Sequence, residues 1–137
     1  MQALKVEHVR KIYPSMHAKG QEVLAIDDIS LEVRKNEFCS ILGHSGCGKT
    51  TLGRTIIRLV EPTSGEVIYR GQDFAALRGS DLRKMRKSIQ IIFQDPYSSL
   101  NPRMTVGQAL MEPMQVHRLH GDNRRRKDRA IELLERV

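Results

Sequence analysis

The stretch Gly43-His44-Ser45-Gly46-Cys47-Gly48-Lys49-Thr50-Thr51 decides the fold of this chain. It fits the pattern of Gly, four residues of any type, and then Gly-Lys-Ser/Thr. The run ahead of it, Phe38–Leu42, is short and apolar, which predicts a buried strand. The segment behind it, Thr50–Val60, predicts a helix because its apolar residues recur at helical spacing (Leu52, Ile56, Leu59 and Val60). A strand, a glycine-rich turn and a helix in this order predict a phosphate-binding loop.

The residue types in this loop suit phosphate chemistry. Phosphate oxygens must be met by several backbone N–H groups, and the glycines at positions 43, 46 and 48 lack the Cβ that would obstruct them. The following helix directs its free N–H groups and its positive dipole end at the anion. Lys49 supplies a full positive charge for the β- and γ-phosphates, and the Thr50 hydroxyl is a predicted Mg²⁺ ligand. A glycine-rich turn that contains Lys-Thr by chance is the disfavoured alternative.

Composition places the chain among ordinary globular proteins. It has 137 residues, of which 39% are hydrophobic and 28% charged. No apolar run is long enough to cross a bilayer, and the amino terminus does not resemble a signal peptide. Cys39 and Cys47 indicate neither a disulfide nor a zinc site. These observations predict a cytoplasmic protein.

The net charge of +7 raises the question of nucleic-acid binding. Much of the charge lies in two runs, Arg83–Lys87 and Arg124–Lys127, which contain none of the aromatic residues that single-strand binding uses. We therefore expect solvated helix faces and no nucleic-acid partner. Contact with acidic lipid or with a membrane protein stays open.

The rest of the chain predicts short strands followed by helices. Several β-prone runs lie close together and predict an antiparallel sheet (4–9, 23–26, 29–33 and 66–69). A second strongly apolar strand, Ile89–Phe93, ends before Gln94. Capping residues predict three helices: Ser80 or Asp81 for one through Lys87, Thr105 for one that Pro113 kinks or ends, and Asp122 for the last. That last helix has no stop signal, so we expect the sequence to be cut within it.

Two further residues place the loop in a family. Tyr13 stands 30 positions before Gly43, and Gln94 stands 45 positions after Lys49. This arrangement resembles the nucleotide-binding subunit of ABC transporters. The segments 43–54 and 93–107 are similar to the dipeptide and oligopeptide importer ATPases, which drive uptake of peptides, and in related systems nickel, across the bacterial inner membrane.

The resemblance implies an α/β fold, a P-loop NTPase of the ABC ATPase type with a central sheet and a small antiparallel β subdomain. Residues 1–94 would form the ATP-binding core, and 95–137 the glutamine loop and the start of a helical subdomain. Tyr13 would stack on adenine, and Gln94 would join Thr50 at Mg²⁺ or position water. The implied cofactors are ATP and Mg²⁺. The implied partners are membrane permeases and a second ATP-binding subunit, at the cytoplasmic face of the inner membrane.

The sequence also departs from the family. His44 stands where the family most often has Glu, and we expect binding to survive because backbone groups form the cradle. The family's signature motif, catalytic glutamate and switch histidine belong after Val137, so no catalytic residue is expected in this stretch. We expect the chain to bind ATP and to hydrolyse it poorly or not at all, whereas the full-length protein would power import. The alternatives are a truncated binding module, a small P-loop kinase, or a transporter for a non-peptide solute.

Overall fold

The computed structural model describes residues 2–15 and 20–137. The chain forms two compact units, Met1–Ile89 and Gln90–Val137.

The first unit is built on a four-stranded antiparallel sheet. Its strands are β1 (Gln2–Pro14), β2 (Glu22–Arg34), β3 (Ser64–Tyr69) and β4 (Gln72–Asp73), in the order β2-β1-β3-β4. The runs predicted at 23–26 and 29–33 are one strand with an irregularity at Asp27-Asp28, where the backbone of Asp28 has φ 51°. The antiparallel sheet is therefore confirmed, with strands longer than predicted.

Two helices, α1 (Lys49–Ile56) and α2 (Gly79–Met85), complete this unit. The core joins one face of the sheet to α1 through a single cluster of buried residues (Val6, Val9, Ile26, Leu52, Ile56, Val67 and Phe74). The helix after the loop is thus confirmed, but it stops at Ile56 and Leu59 is half exposed. Arg58 has φ 53°, a left-handed conformation that cannot continue a helix.

The two strongest apolar runs do not form strands in this structure. Phe38 and Leu42 are 92% and 91% exposed, and Ile92 is 97% exposed. Within the described part of the chain, neither Phe38–Leu42 nor Ile89–Phe93 pairs with a strand of the sheet. A strand with two apolar faces needs hydrogen-bonded neighbours and layers on both sides, and the four strands that this structure contains pair with one another. The predictions of strands at Phe38–Leu42 and Ile89–Phe93 are therefore wrong for the described residues, whereas the α/β class with its antiparallel sheet is confirmed.

A buried guanidinium fixes the end of α1. The side chain of Arg58 is 1% exposed. It donates hydrogen bonds to the carbonyl oxygens of Phe74, at 2.9 Å, and Leu77. Its Nη2 and Nε also donate to the two carboxylate oxygens of Glu61, at 2.6 Å and 3.2 Å. The hydrogen bond from Arg58 is the main cause that lowers the pKa of Glu61. One residue therefore ties α1 to the segment between β4 and α2.

The second unit is helical. It contains α3 (Pro96–Ser99), α4 (Val106–Val116) and α5 (Asn123–Glu135). The predicted caps are confirmed: Thr105 forms a capping box with Gln108, and Asp122 accepts from the backbone N–H of Arg125 at 2.9 Å. Pro113 lies inside α4 and does not end it.

The cap predicted for α2 was wrong, because Arg78 precedes its first turn and neither Ser80 nor Asp81 is the N-cap. Both basic runs include an arginine that bonds to the backbone, Arg86 to the carbonyl of Arg58 at 3.2 Å and Arg126 to that of Leu119 at 3.0 Å. Throughout 2–15 and 20–137, the helices are too short or too polar to cross a bilayer.

Replacing Glu61 with Gln is expected to remove a pH-dependent part of the stability of the first unit. Because Arg58 holds the pKa of Glu61 below 4.5, the ionised carboxylate stabilises the folded chain above that pH. This contribution is lost as the pH falls through the lowered pKa. Urea unfolding midpoints at pH 7 and at about pH 2.5 should therefore differ less in the Glu61→Gln variant than in the unchanged chain.

The exposed Glu112 on α4 provides the control for this experiment. The Glu112→Gln variant should keep the pH dependence of the unchanged chain. If the unfolding midpoint of the Glu61→Gln variant depended on pH as strongly as that of the unchanged chain, the assigned role of the Arg58–Glu61 pair would be contradicted.

Candidate functional site

The predicted phosphate loop is an irregular turn that leads directly into α1. Gly46 and Gly48 have φ 79° and φ 93°, backbone conformations that glycine adopts without strain. Gly48 is the N-cap of α1, and no side chain caps this helix. The N–H groups of Lys49, Thr50 and Thr51 have no acceptor within the helix, because they lie in its first turn. The start of α1 thus presents unpaired donors and the positive end of the helix dipole.

At two of the glycines a Cβ would make a close contact, and at Gly48 this contact is with the backbone, which cannot move aside. A Cβ on Gly48 would lie 2.4 Å from the carbonyl oxygen of Ala25 in β2, and one on Gly43 would lie 2.6 Å from the Cys47 sulfur. The bare Cα of Gly48 therefore lets the first turn of α1 lie against β2. A Cβ on Gly46 would meet nothing within 4 Å, so only the positive φ angle at this position favours glycine.

Lys49 closes the loop. Its Nζ donates hydrogen bonds to the carbonyl oxygens of Gly43 and His44, both at 2.7 Å, and lies 3.6 Å from the Cys47 sulfur. An ammonium group has three donors, so these contacts hold a full positive charge at the turn. The positive charge and the free N–H groups together form a cradle for an anion with several oxygens. A triphosphate fits this donor set.

The remaining loop side chains leave the cradle open. The Nδ1 atom of His44 lies 2.9 Å from the carbonyl oxygen of Ser45. A carbonyl only accepts, so this nitrogen carries the proton and the imidazole is bound to its own loop. Thr50 is exposed on the first turn, where a hydroxyl can meet a metal ion beside bound phosphates.

Tyr13 lies near this loop through the pairing of β1 with β2. It pairs with Val23, two residues along β2 from Ala25, whose carbonyl contacts the loop. Strand spacing and rise place the Tyr13 backbone about 8 Å from that of Ala25. A cleft of about 420 Å³ is lined both by Lys49 and by Leu24, which neighbours Val23. The structure therefore brings the backbone of Tyr13 near the loop, but Tyr13 does not line this cleft, and its stacking on adenine stays a prediction.

Gln94 belongs to the second unit. It is exposed, and it precedes Asp95, whose carboxylate accepts the backbone N–H of Tyr97 at 2.9 Å and caps α3. The joint action of Gln94 and Thr50 on a metal ion stays a prediction.

Sequence reasoning missed two residues beside the site, Arg58 and Lys11. The Lys11 ammonium lies 4.8 Å from the centroid of the Tyr13 ring. The spacing of two residues within a strand was the signal available for Lys11. For Arg58 the sequence offered only Glu61, three residues later, because its other partners are the carbonyl groups of Phe74 and Leu77.

A glycine-rich loop that its lysine closes and that leads directly into a helix is the phosphate-binding arrangement of P-loop NTPases. Residues 26–137 match the family described as ABC transporter. The chain belongs to that family.

Similar proteins agree with this assignment. The probable peptide ABC transporter ATP-binding protein y4tS of Sinorhizobium fredii is 44% identical over 138 residues, which cover 98% of this chain and 39% of that protein. The oligopeptide transport ATP-binding protein AppF of Bacillus subtilis is 42% identical over 139 residues, covering 98% and 42%. The chain thus spans about two fifths of the length of these relatives.

Among solved structures, the dimeric, post-hydrolysis state of the ATP-binding cassette MJ0796 bound to ADP and Pi is similar, with a TM-score of 0.76. Its sequence is 29% identical, and the match covers 96% of this chain and 56% of that chain. The fold of the chain is that of an ABC ATPase cassette.

Replacing Gly48 with Ala is expected to disrupt the loop. The new Cβ would meet the Ala25 carbonyl at 2.4 Å, and a residue with φ 93° would be strained. We expect the midpoint of urea unfolding to fall and nucleotide affinity, measured by isothermal titration calorimetry, to drop at least tenfold.

Gly53 is the matched control, because it lies inside the same helix and its Cβ would meet nothing within 4 Å. The Gly53→Ala variant should keep its affinity and gain about 0.5–1 kcal/mol in stability. Equal affinity in the two variants would show that the close approach of α1 to β2 does not matter for binding.

Proposed function

We propose that the chain binds Mg-ATP on the loop from Gly43 to Thr51, with the adenine ring on Tyr13. The observation that carries this proposal is the Lys49 ammonium held 2.7 Å from two loop carbonyls, beside the uncapped start of α1. The similarity to a cassette solved with ADP and Pi supports it.

Each residue has a task in this proposal. The loop N–H groups and Lys49 bind and orient the phosphates, where a charged donor makes the strongest hydrogen bonds. Thr50, and Gln94 from the second unit, would hold Mg²⁺ through side-chain oxygens. Tyr13 would orient the base by stacking. The bound nucleotide supplies the phosphoanhydride whose hydrolysis powers transport in such proteins.

For the full-length protein we propose ATP hydrolysis coupled to import of peptides or a similar small solute. The names of its relatives from Sinorhizobium fredii and Bacillus subtilis, a peptide and an oligopeptide transport protein, support this. The partners would be membrane permeases and a second ATP-binding subunit, since the similar cassette is dimeric. The protein would act as a peripheral subunit at the cytoplasmic face of the membrane.

Replacing Lys49 with Ala is expected to weaken Mg-ATP binding about ten- to a hundredfold. A hydrogen bond to a charged group contributes about 1.5–3 kcal/mol, and the ammonium also fixes the loop through Gly43 and His44. Titration calorimetry on the 137-residue chain measures this affinity. The exposed Lys35 is the control, and Lys35→Ala should bind as the unchanged chain does. An equal loss in both variants would mean that the phosphates respond only to net charge.

The isolated chain is expected to bind ATP without steady turnover. It spans about two fifths of relatives that act in transport, and phosphoryl transfer needs a positioned nucleophile as well as bound phosphates. Phosphate release measured over many equivalents of enzyme should stay at the background rate. The full-length protein should hydrolyse ATP, and Lys49→Ala should abolish that activity. Steady hydrolysis by the isolated chain that disappears in the Lys49→Ala variant would contradict this expectation.

A further inference from the structure

A cation covers one face of the Tyr13 ring. The Nζ atom of Lys11, two residues earlier on β1, lies 4.8 Å from the ring centroid. Both side chains are partly buried. A charge at this distance is attracted by the negative face of the ring. An aromatic ring has two faces, so this contact leaves one face for stacking on a base.

Lys11 also interacts electrostatically with Glu61, which lies in the segment that follows α1. The pKa of Glu61 is lowered first by the hydrogen bond from Arg58, and the positive charge of Lys11 also contributes. The Glu61 carboxylate is held by two hydrogen bonds from the buried Arg58. The Lys11 ammonium therefore lies over the Tyr13 ring, and its charge also acts on a carboxylate that Arg58 fixes after the end of α1.

Backbone contacts hold the same segments together. The N–H of Thr63 donates to the carbonyl of Arg10 at 2.8 Å, and the N–H of Ile12 donates to the Thr63 hydroxyl at 3.0 Å. The chain after α1 is thus joined to β1 on both sides of Lys11. The Tyr13 ring does not depend on its own strand alone for its position.

We propose that Lys11 is a positioning residue for the base of the nucleotide: it holds the Tyr13 ring with one face covered and one face presented for stacking. The proposal rests on the nucleotide site proposed above. Lys11 acts through Tyr13 and does not contact the phosphates. Because α1 begins at the phosphate loop and is followed by Arg58, one helix then determines the positions of both the loop and the ring.

The test compares two ligands in the 137-residue chain, Mg-ATP and inorganic triphosphate with Mg²⁺. The Lys11→Met variant keeps the aliphatic stem and removes the charge. We expect its affinity for Mg-ATP to fall about two- to fivefold and its affinity for triphosphate to stay unchanged. The Lys11→Arg variant should restore ATP affinity, since it restores a cation over the ring. In a Tyr13→Ala background, Lys11→Met should have no further effect.

The chain contains a matched control pair. The guanidinium of Arg70 lies 5.1 Å from the centroid of the Tyr69 ring, and Tyr69 is the last residue of another strand, β3. Arg70→Met removes a similar contact and should leave the affinity for both ligands unchanged. NMR of ¹³C-labelled tyrosine gives a readout without nucleotide, since Lys11→Met should shift the Tyr13 ring signals and Arg70→Met those of Tyr69.

Several outcomes would overturn the proposal. If the Lys11→Met variant lost as much affinity for triphosphate as for ATP, Lys11 would act only by attracting the charge of the phosphates. A loss that persists in the Tyr13→Ala background would show that Lys11 acts independently of the ring. If the Tyr13 ring signals did not shift in the Lys11→Met variant, Lys11 would not be in contact with the ring. If the unchanged chain binds neither ligand, the proposed function fails, and the NMR comparison still decides whether Lys11 positions the ring.

Discussion

The site depends on the contact between the Cα of Gly48 and the carbonyl of Ala25. A Cβ at that point would lie 2.4 Å from the oxygen, so only glycine lets the first turn of α1 meet β2. β2 is also the strand that pairs with Tyr13. This one contact therefore determines how closely the start of α1 approaches the strand that pairs with Tyr13. It also explains why a glycine stands at the N-cap, where serine or aspartate would stabilise the helix better by capping it.

The other end of α1 is fixed by a different kind of interaction. Arg58 is buried with its donors on the carbonyl groups of Phe74 and Leu77 and on Glu61. A buried guanidinium is costly unless it is hydrogen-bonded and paired, and here four hydrogen bonds and the Glu61 carboxylate compensate for its burial. The close packing of Gly48 against β2 thus fixes the start of α1, and the hydrogen bonds and ion pair of Arg58 fix the chain just after its end. Preorganisation of this kind lets a loop bind phosphate without first ordering its backbone.

What the sequence predicted well depends on local signals. The loop, the start of α1 and the caps Thr105 and Asp122 follow from neighbouring residues, because capping and glycine angles are local. The runs Phe38–Leu42 and Ile89–Phe93 were predicted from apolar content alone. Whether such a run becomes a strand depends on distant partners, and the four strands in the described residues pair only with one another. The turn before α1 and these helix caps could therefore be predicted from sequence, whereas the fate of these two apolar runs could not.

The electrostatic contacts beside the site could not be predicted for the same reason. From the sequence alone, Lys11 is an ordinary lysine in a strand, and Glu61 is a turn residue before Pro62. Their roles appear only when the sheet brings residues 10–12 alongside residues 61–63. Arg58 then fixes Glu61, whose pKa the charge of Lys11 also lowers, while the Lys11 ammonium lies over the Tyr13 ring. A purely local motif supplies the groups that we propose bind phosphate. The position of the proposed stacking ring is set by contacts between residues distant in sequence, so specificity for the base would depend on tertiary structure.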